Sequence, residues 1–293
     1  MNTSTPLSPN CRQRLRIGTA FGVTDVGTVR QSNEDNFLID GELDMVIVAD
    51  GMGGHAAGEL ASVGALQAVQ QFFQQARARH LPSPHSVHAA PIDLDATTPA
   101  ADAHDPDATY SDLGIMAIST VFDAIEFANQ HLYQQNVAQH RPEGGMGTTL
   151  TGFCRPFATS ELVFFHVGDT RLYCQRDGKL YQLTHDQTLY QQAVDAGLTD
   201  NLPSRNMLLQ AVGPIAQVQP EIRPLALRPN DLLMLCSDGL HGAVAHAEIE
   251  RVMGLTTETS LEQACHYLVD LAKKSGSRDN ITVLMVQCLA ALD

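Results

Sequence analysis

Four aspartates stand where chemistry and chain direction meet: Asp50, Asp169, Asp238 and Asp279. Asp50 closes the apolar run Met45-Val-Ile-Val-Ala49 and is followed by a turn containing Gly51, Gly53 and Gly54. Asp169 follows Val167-Gly168, Asp238 follows Leu235-Cys-Ser237, and Asp279 precedes Asn280-Ile281. A carboxylate at the end of a buried strand is held in a fixed direction, and neighbouring glycines let backbone or ligand come close. Any one of these residues could equally be a turn former. Four that converge would make a patch of repelling charge, which hard divalent cations render tolerable. Oxygen donors without His or Cys pairs favour Mg²⁺ or Mn²⁺ over Zn²⁺. None of the 12 histidines has His-x-x-x-His spacing beside a carboxylate, so most are expected at the surface or at caps.

The elements that must position these groups are legible in the pattern. Strands are expected at Arg16–Phe21, Phe37–Asp40, Met45–Ala49, Thr148–Cys154, Glu161–Val167, Arg171–Gln175, Lys179–Leu183, Leu232–Cys236 and Ile281–Gln287. Asp40-Gly41-Glu42 and Asp177-Gly178 read as hairpin turns. Helical spacing of apolar residues predicts helices over Glu59–Arg79 and Leu113–Ala138, with shorter ones at Thr188–Ala196, His246–Met253 and Ser260–Lys273. Two separated groups of helices among hairpin-ordered strands imply an α+β layered domain and not alternating βαβ units. The polar start, residues 1–16, reads as a loose leader, and the domain is expected over 17–288. The stretch 80–112 has no Lys or Arg and is rich in Ala, Pro and Asp, which predicts an insertion within that domain.

The net charge of -15, from 33 acidic and 18 basic residues, argues against nucleic acid or an anionic membrane as main partner. No apolar run reaches the ~20 residues of a membrane helix, and the start lacks the apolar core of a secretion signal. The six cysteines form no Cys-x-x-Cys pair. A reduced cytoplasmic protein, expected as a monomer, follows.

An ordered set of segments then resembles the metal-dependent PP2C (PPM) protein phosphatases of the bacterial branch. The set is Arg30 with Asn33-Glu34-Asp35, Val48-Ala-Asp-Gly-Met-Gly-Gly-His55, Gly147-Thr-Thr149, Val167-Gly-Asp-Thr-Arg-Leu-Tyr173, Leu183-Thr184, Cys236-Ser-Asp-Gly-Leu240 and Gly276-Ser-Arg-Asp-Asn-Ile-Thr-Val283. The resemblance covers about residues 17–287. It implies a four-layer α-β-β-α sandwich of two antiparallel sheets packed face to face, with helices outside. It also implies hydrolysis of phosphoserine and phosphothreonine on proteins by water activated by two, or three, Mn²⁺ or Mg²⁺ ions. Asp50 would bridge two ions and the carbonyl of Gly51 would complete the first. Asp238 and Asp279 would hold the second, with Glu34 and Asp35 acting through water. Asp169 with Asp238 would match a third, weaker position, and Arg30 would bind the substrate phosphate. Residues 187–207 match the family's flap, and the implied partners are phosphoproteins, including substrates of a Ser/Thr kinase. A catalytically weak phosphoprotein-binding module and a phosphatase for a small metabolite are the competing readings.

Two departures from the family pattern stand out. Eukaryotic relatives have a histidine two residues after the bridging aspartate, proposed as general acid; here that residue is Met52, which has no proton to give. His55, three residues on, is an alternative whose direction the turn leaves open. After Leu183-Thr184 many relatives read x-Asp-His-Ser/Thr, whereas this chain has His185-Asp186-Gln187-Thr188. No Gly-x4-Gly-Lys-Ser/Thr loop and no Cys-x5-Arg signature is present, so neither a P-loop nucleotide site nor a cysteine-based phosphatase is supported.

Overall fold

The computed structural model describes residues 7, 10–54, 56–80, 112–139, 145–156 and 162–290. The stretch expected as an insertion, apart from its two ends, and His55 lie outside these residues. Among them, six strands form one antiparallel sheet in the order β1 (Gln13–Arg14), β2 (Gly18–Asp25), β13 (Ile281–Cys288), β12 (Leu232–Cys236), β9 (Arg171–Arg176), β10 (Lys179–Gln182). A second antiparallel sheet runs β11 (Glu221–Pro224), β8 (Val163–Val167), β7 (Leu150–Cys154), β4 (Met45–Ala49), β3 (Asn36–Asp40). A two-stranded ribbon joins β5 (Gly51–Met52) to β6 (Gly147–Thr148).

The strands read as apolar runs because both sheet faces are covered. Between the sheets lies a core including Phe37, Val46, Val48, Phe153, Leu172, Leu233, Leu235 and Leu284. Outside the five-stranded sheet, α1 (Ala56–His80) and α2 (Asp112–Ala138) bury Leu66, Val69, Phe73, Val121, Ile125 and Leu132. Outside the six-stranded sheet, the short helix α4 (Asp238–His241) together with α5 (His246–Leu255) and α6 (Leu261–Lys274) buries Leu240, Ile249, Met253, Leu268 and Val269. The remaining helix, α3 (Leu189–Asp195), belongs to the segment between β10 and β11. The layering is the expected α-β-β-α sandwich.

Some boundaries differ from the sequence reading. Gln13–Arg14 pairs with Thr19 and Ala20 at the sheet edge, so ordered structure begins inside the stretch read as a leader. An edge strand with one neighbour needs no apolar alternation, which is why this polar pair escaped notice. The helix read from Glu59 begins at Ala56, and Asp238 opens the helix α4 instead of lying in a turn. His166 is fully buried in β8, an exception to the expectation that most histidines lie at the surface or at caps.

Register explains how distant carboxylates meet. Asn36 pairs with Ala49, Leu150 with Val167, and Cys236 with both Arg171 and Val283. The ends of β4, β8 and β12 and the starts of β3, β9 and β13 therefore lie along one edge of the sandwich. Asp35, Asp50, Asp169, Asp238 and Asp279 each sit within two residues of one of those strand ends.

Candidate metal and phosphate site

At this edge lies a cavity of about 200 Å³. Its lining includes the carboxylates of Glu34, Asp50, Asp169, Asp238 and Asp279, and Gly51 from β5. Arg30 is the one basic residue lining it among the described residues. Seven of the eight residues singled out in the sequence thus share one space. The eighth, Asp35, lies beneath it and is 2% exposed. There its Oδ2 accepts hydrogen bonds from Ser237 Oγ (2.7 Å) and Thr282 Oγ1 (2.8 Å).

Each wall is held by local bonding. The Asp50 N–H donates to Thr149 Oγ1 (2.9 Å), and the Asp50 carbonyl accepts from the Thr149 N–H and Thr148 Oγ1, both at 2.9 Å. Gly51 is required: an added Cβ would lie 2.1 Å from the Gly58 carbonyl oxygen and 2.6 Å from that of Glu34. Asn280 accepts from the Glu34 N–H (2.9 Å) and donates to the carbonyls of Val26 (3.0 Å) and Ser32 (2.9 Å), pinning the loop that carries Arg30 and Glu34. Arg30 Nη2 donates to Asp279 Oδ2 at 2.7 Å, and that bond holds the guanidinium above its ordinary pKa.

Electrostatically the cavity is strained. Burial, reinforced by neighbouring carboxylates, raises Asp35 to about 6, Asp169 to about 7 and Asp238 to about 8. Asp50 is pushed well above the ordinary carboxylate range by burial and by Asp35, Asp238, Asp169 and Asp279. Buried oxygens Asp35 Oδ1 and Asp238 Oδ1 have no hydrogen-bond partner among the described residues. A buried anionic oxygen without a donor is costly, and a cation removes the cost. Among the described residues no three His, Cys, Asp or Glu side chains are gathered tightly enough to enclose one ion; the carboxylates frame the cavity from separate walls. The donor chemistry, all oxygen and net negative, nonetheless fits hard divalent ions.

A family model described as "Protein phosphatase 2C" matches residues 28–284. The chain belongs to the protein phosphatase 2C family. It is 30% identical to the serine/threonine phosphatase stp of Listeria innocua over 275 residues, 90% of this chain and 93% of that protein. It is 31% identical to the serine/threonine protein phosphatase PstP of Mycobacterium tuberculosis over 267 residues. That match takes in 89% of this chain but 43% of PstP, so the chain spans less than half of that relative's length. The solved catalytic domain of PstP in complex with two manganese ions superimposes with a TM-score of 0.66 at 29% identity, covering 92% of this chain and 97% of that one. The chain is thus a PP2C-type phosphatase, a phosphoric monoester hydrolase, with the fold of its relatives.

Sequence reasoning missed several supports of this site. Gly58 in α1 faces Glu34 so closely that an added Cβ would lie 2.0 Å from Glu34 Oε2. Ser62, one turn on, donates to the Glu34 carbonyl at 2.6 Å. The run Ala56-Ala57-Gly58 at the helix start was the available signal, since small residues mark close approach. Asn206 and Leu208, from the segment after α3, also line the cavity.

Proposed function

We propose that this chain hydrolyses phosphoserine and phosphothreonine on proteins, opposing a Ser/Thr kinase, with Mn²⁺ or Mg²⁺ bound at the cavity edge. The observation that carries the reading is the convergence of five lining carboxylates and one arginine at a single edge of the two sheets. Asp50, Asp238 and Asp279 would hold two ions together with the Gly51 carbonyl, and Glu34 and Asp35 would act through water. Asp169 lies close enough to Asp238 to disfavour ionisation of that carboxyl, which suits a third, weaker position. Bound divalent ions lower the pKa of water and neutralise charge that develops during in-line displacement at phosphorus.

The protein's own part is placement. Arg30 spends one N–H on Asp279, and its half-exposed fork leaves further donors for two phosphate oxygens. Met52 lines the cavity but carries no proton, so it cannot serve as the general acid for the departing alkoxide. The carboxylates lining the cavity would repel a bare anion, and bound cations would offset that charge when a phosphate enters. We place the protein in the reducing cytoplasm, in keeping with six free cysteines, five of them buried.

The deciding assay is Mn²⁺-dependent phosphate release from p-nitrophenyl phosphate, phosphothreonine peptides and a panel of phosphorylated metabolites. Activity should vanish with EDTA and in Asp238→Ala. Turnover that survives metal removal would refute the mechanism, and metal binding with no turnover would favour a phosphoprotein-binding module.

A further inference from the structure

Gln187, at the position where many relatives carry histidine, uses all four of its polar groups at one junction. Its N–H donates to the Gly168 carbonyl (2.8 Å), and its side-chain Oε1 accepts from the Gly168 N–H (3.0 Å). Its Nε2 reaches the carbonyl of His166 at 3.5 Å, and its own carbonyl accepts from the Leu209 N–H at 2.7 Å. The two ends of the segment 187–209 thus meet at this residue, a closure repeated by Leu189 N–H donating to the Met207 carbonyl at 2.9 Å.

Each side of the junction leads to the cavity. On one side, Leu208 and Asn206 line it directly. On the other, Gly168 precedes Asp169 and sits at φ +104, where an added Cβ would lie 2.6 Å from Thr149 Cγ2. Thr149 is the residue that exchanges two hydrogen bonds with the backbone of Asp50, through its Oγ1 and its N–H. Contact therefore runs without a gap from Gln187 through Gly168 and Thr149 to Asp50.

The neighbouring bonds brace the same turn. Arg171 Nε and Nη2 donate to both oxygens of Asp186 at 2.8 and 2.6 Å. His166, which burial keeps neutral with a pKa near 4, pairs with Thr151 Oγ1 (2.8 Å) and with the His185 carbonyl (3.0 Å). A carboxamide presents donor and acceptor together at any working pH, which an imidazole does only when neutral.

We propose that Gln187 is a positioning residue that locks the cavity-lining stretch at Asn206 and Leu208 to the Gly168–Asp169 turn, so that substrate contact and the Asp169 carboxylate move as one. The proposal rests on the phosphatase reading above only for its catalytic consequence. Residues that orient a ligating group typically change metal affinity or activity by about 10–100-fold when lost.

The test compares the wild type with Gln187→Met, which keeps length and backbone bonds but removes the strong acceptor and donor. Gln187→Asn is one methylene too short to reach Gly168 and serves if the first variant misfolds. Gln187→His restores a ring-nitrogen acceptor. In metal-free protein, exchange of the Gly168 amide should quicken about tenfold in Gln187→Met, while the amides of Met234 and Leu284 stay unchanged. Calorimetric Mn²⁺ titration should weaken the loosest site about tenfold and leave the tighter sites alone. With a phosphothreonine peptide kcat should fall about tenfold, and Gln187→His should recover most of it. A folded Gln187→Met or Gln187→Asn with wild-type Gly168 exchange and wild-type Mn²⁺ affinities would overturn the proposal. An inactive wild type would sink the phosphatase reading, and Gly168 exchange and Mn²⁺ binding would still decide the role of Gln187.

Discussion

The carboxylate cluster should make the metal-free protein lose stability as pH rises. Asp169 is 7% exposed, and burial raises its pKa from the ordinary 3.8 to about 7. The folded state therefore holds this proton more tightly than the unfolded state does. The associated stability is complete below the unfolded value near 3.8 and is lost as pH rises through about 7. A tenfold change in proton affinity is worth about 1.4 kcal/mol, so the loss at Asp169 is at most about 4 kcal/mol. For a domain of this size 1 kcal/mol moves Tm by about 2–3 °C. About half of that loss, roughly 2 kcal/mol, falls between pH 5.5 and 8, so EDTA-treated protein should melt about 5 °C lower at pH 8 than at pH 5.5. Asp50 and Asp238, shifted in the same direction, add to the slope.

Two controls make that expectation specific. Asp169→Asn cannot ionise in either state, so its metal-free Tm should exceed that of wild type at pH 8 by about twice the margin seen at pH 5.5. Added Mn²⁺ should stabilise wild type more at pH 8 than at pH 5.5, because protons and cations compete for the same oxygens. Differential scanning fluorimetry reads all of this. A metal-free Tm that stays flat or climbs over this pH range would refute the reasoning, as would a lower Tm for Asp169→Asn at pH 8.

Three further outcomes follow from the geometry. Gly58→Ala places a Cβ on Glu34 Oε2 and should raise the Mn²⁺ concentration for half-activation about tenfold. Because alanine favours a helix interior by about 1 kcal/mol, Tm should not fall in step, and a parallel fall would point to misfolding instead. Arg30→Lys keeps the charge but loses the planar fork, so kcat/KM should drop about tenfold, and Arg30→Ala should cost more, chiefly in KM; equal values for Lys and Arg would count against bidentate phosphate binding. Asn280→Ala strands one backbone N–H and two carbonyls that the amide now satisfies, and urea denaturation should show a loss of about 2–4 kcal/mol.

The sequence made the layers legible because both faces of each sheet are covered, which turns strands such as Met45–Ala49 and Leu232–Cys236 into unbroken apolar runs. It made the carboxylates legible because each lies next to a strand end, so chain proximity and spatial convergence agree once the register is antiparallel. Where that agreement fails, so did the reading. The edge strand Glu221–Pro224 pairs on one side only and carries Glu, Arg and Pro, so it has neither run nor alternation to betray it. His166 lies inside Val163–Val167, where the apolar run marks burial, and is an exception to the expectation that most histidines sit at the surface or at caps. Gln187 and Asn280 are the deeper case. Each is an ordinary amide by composition, and each acts through backbone groups more than fifteen residues away that only the fold supplies. A metal ligand announces itself by its charge at a strand end, but a residue that holds ligands in place is defined by partners, and partners are a property of the register. The residues that tune this site are therefore to be sought among its buried amides and glycines, beyond the carboxylates that first drew attention to it.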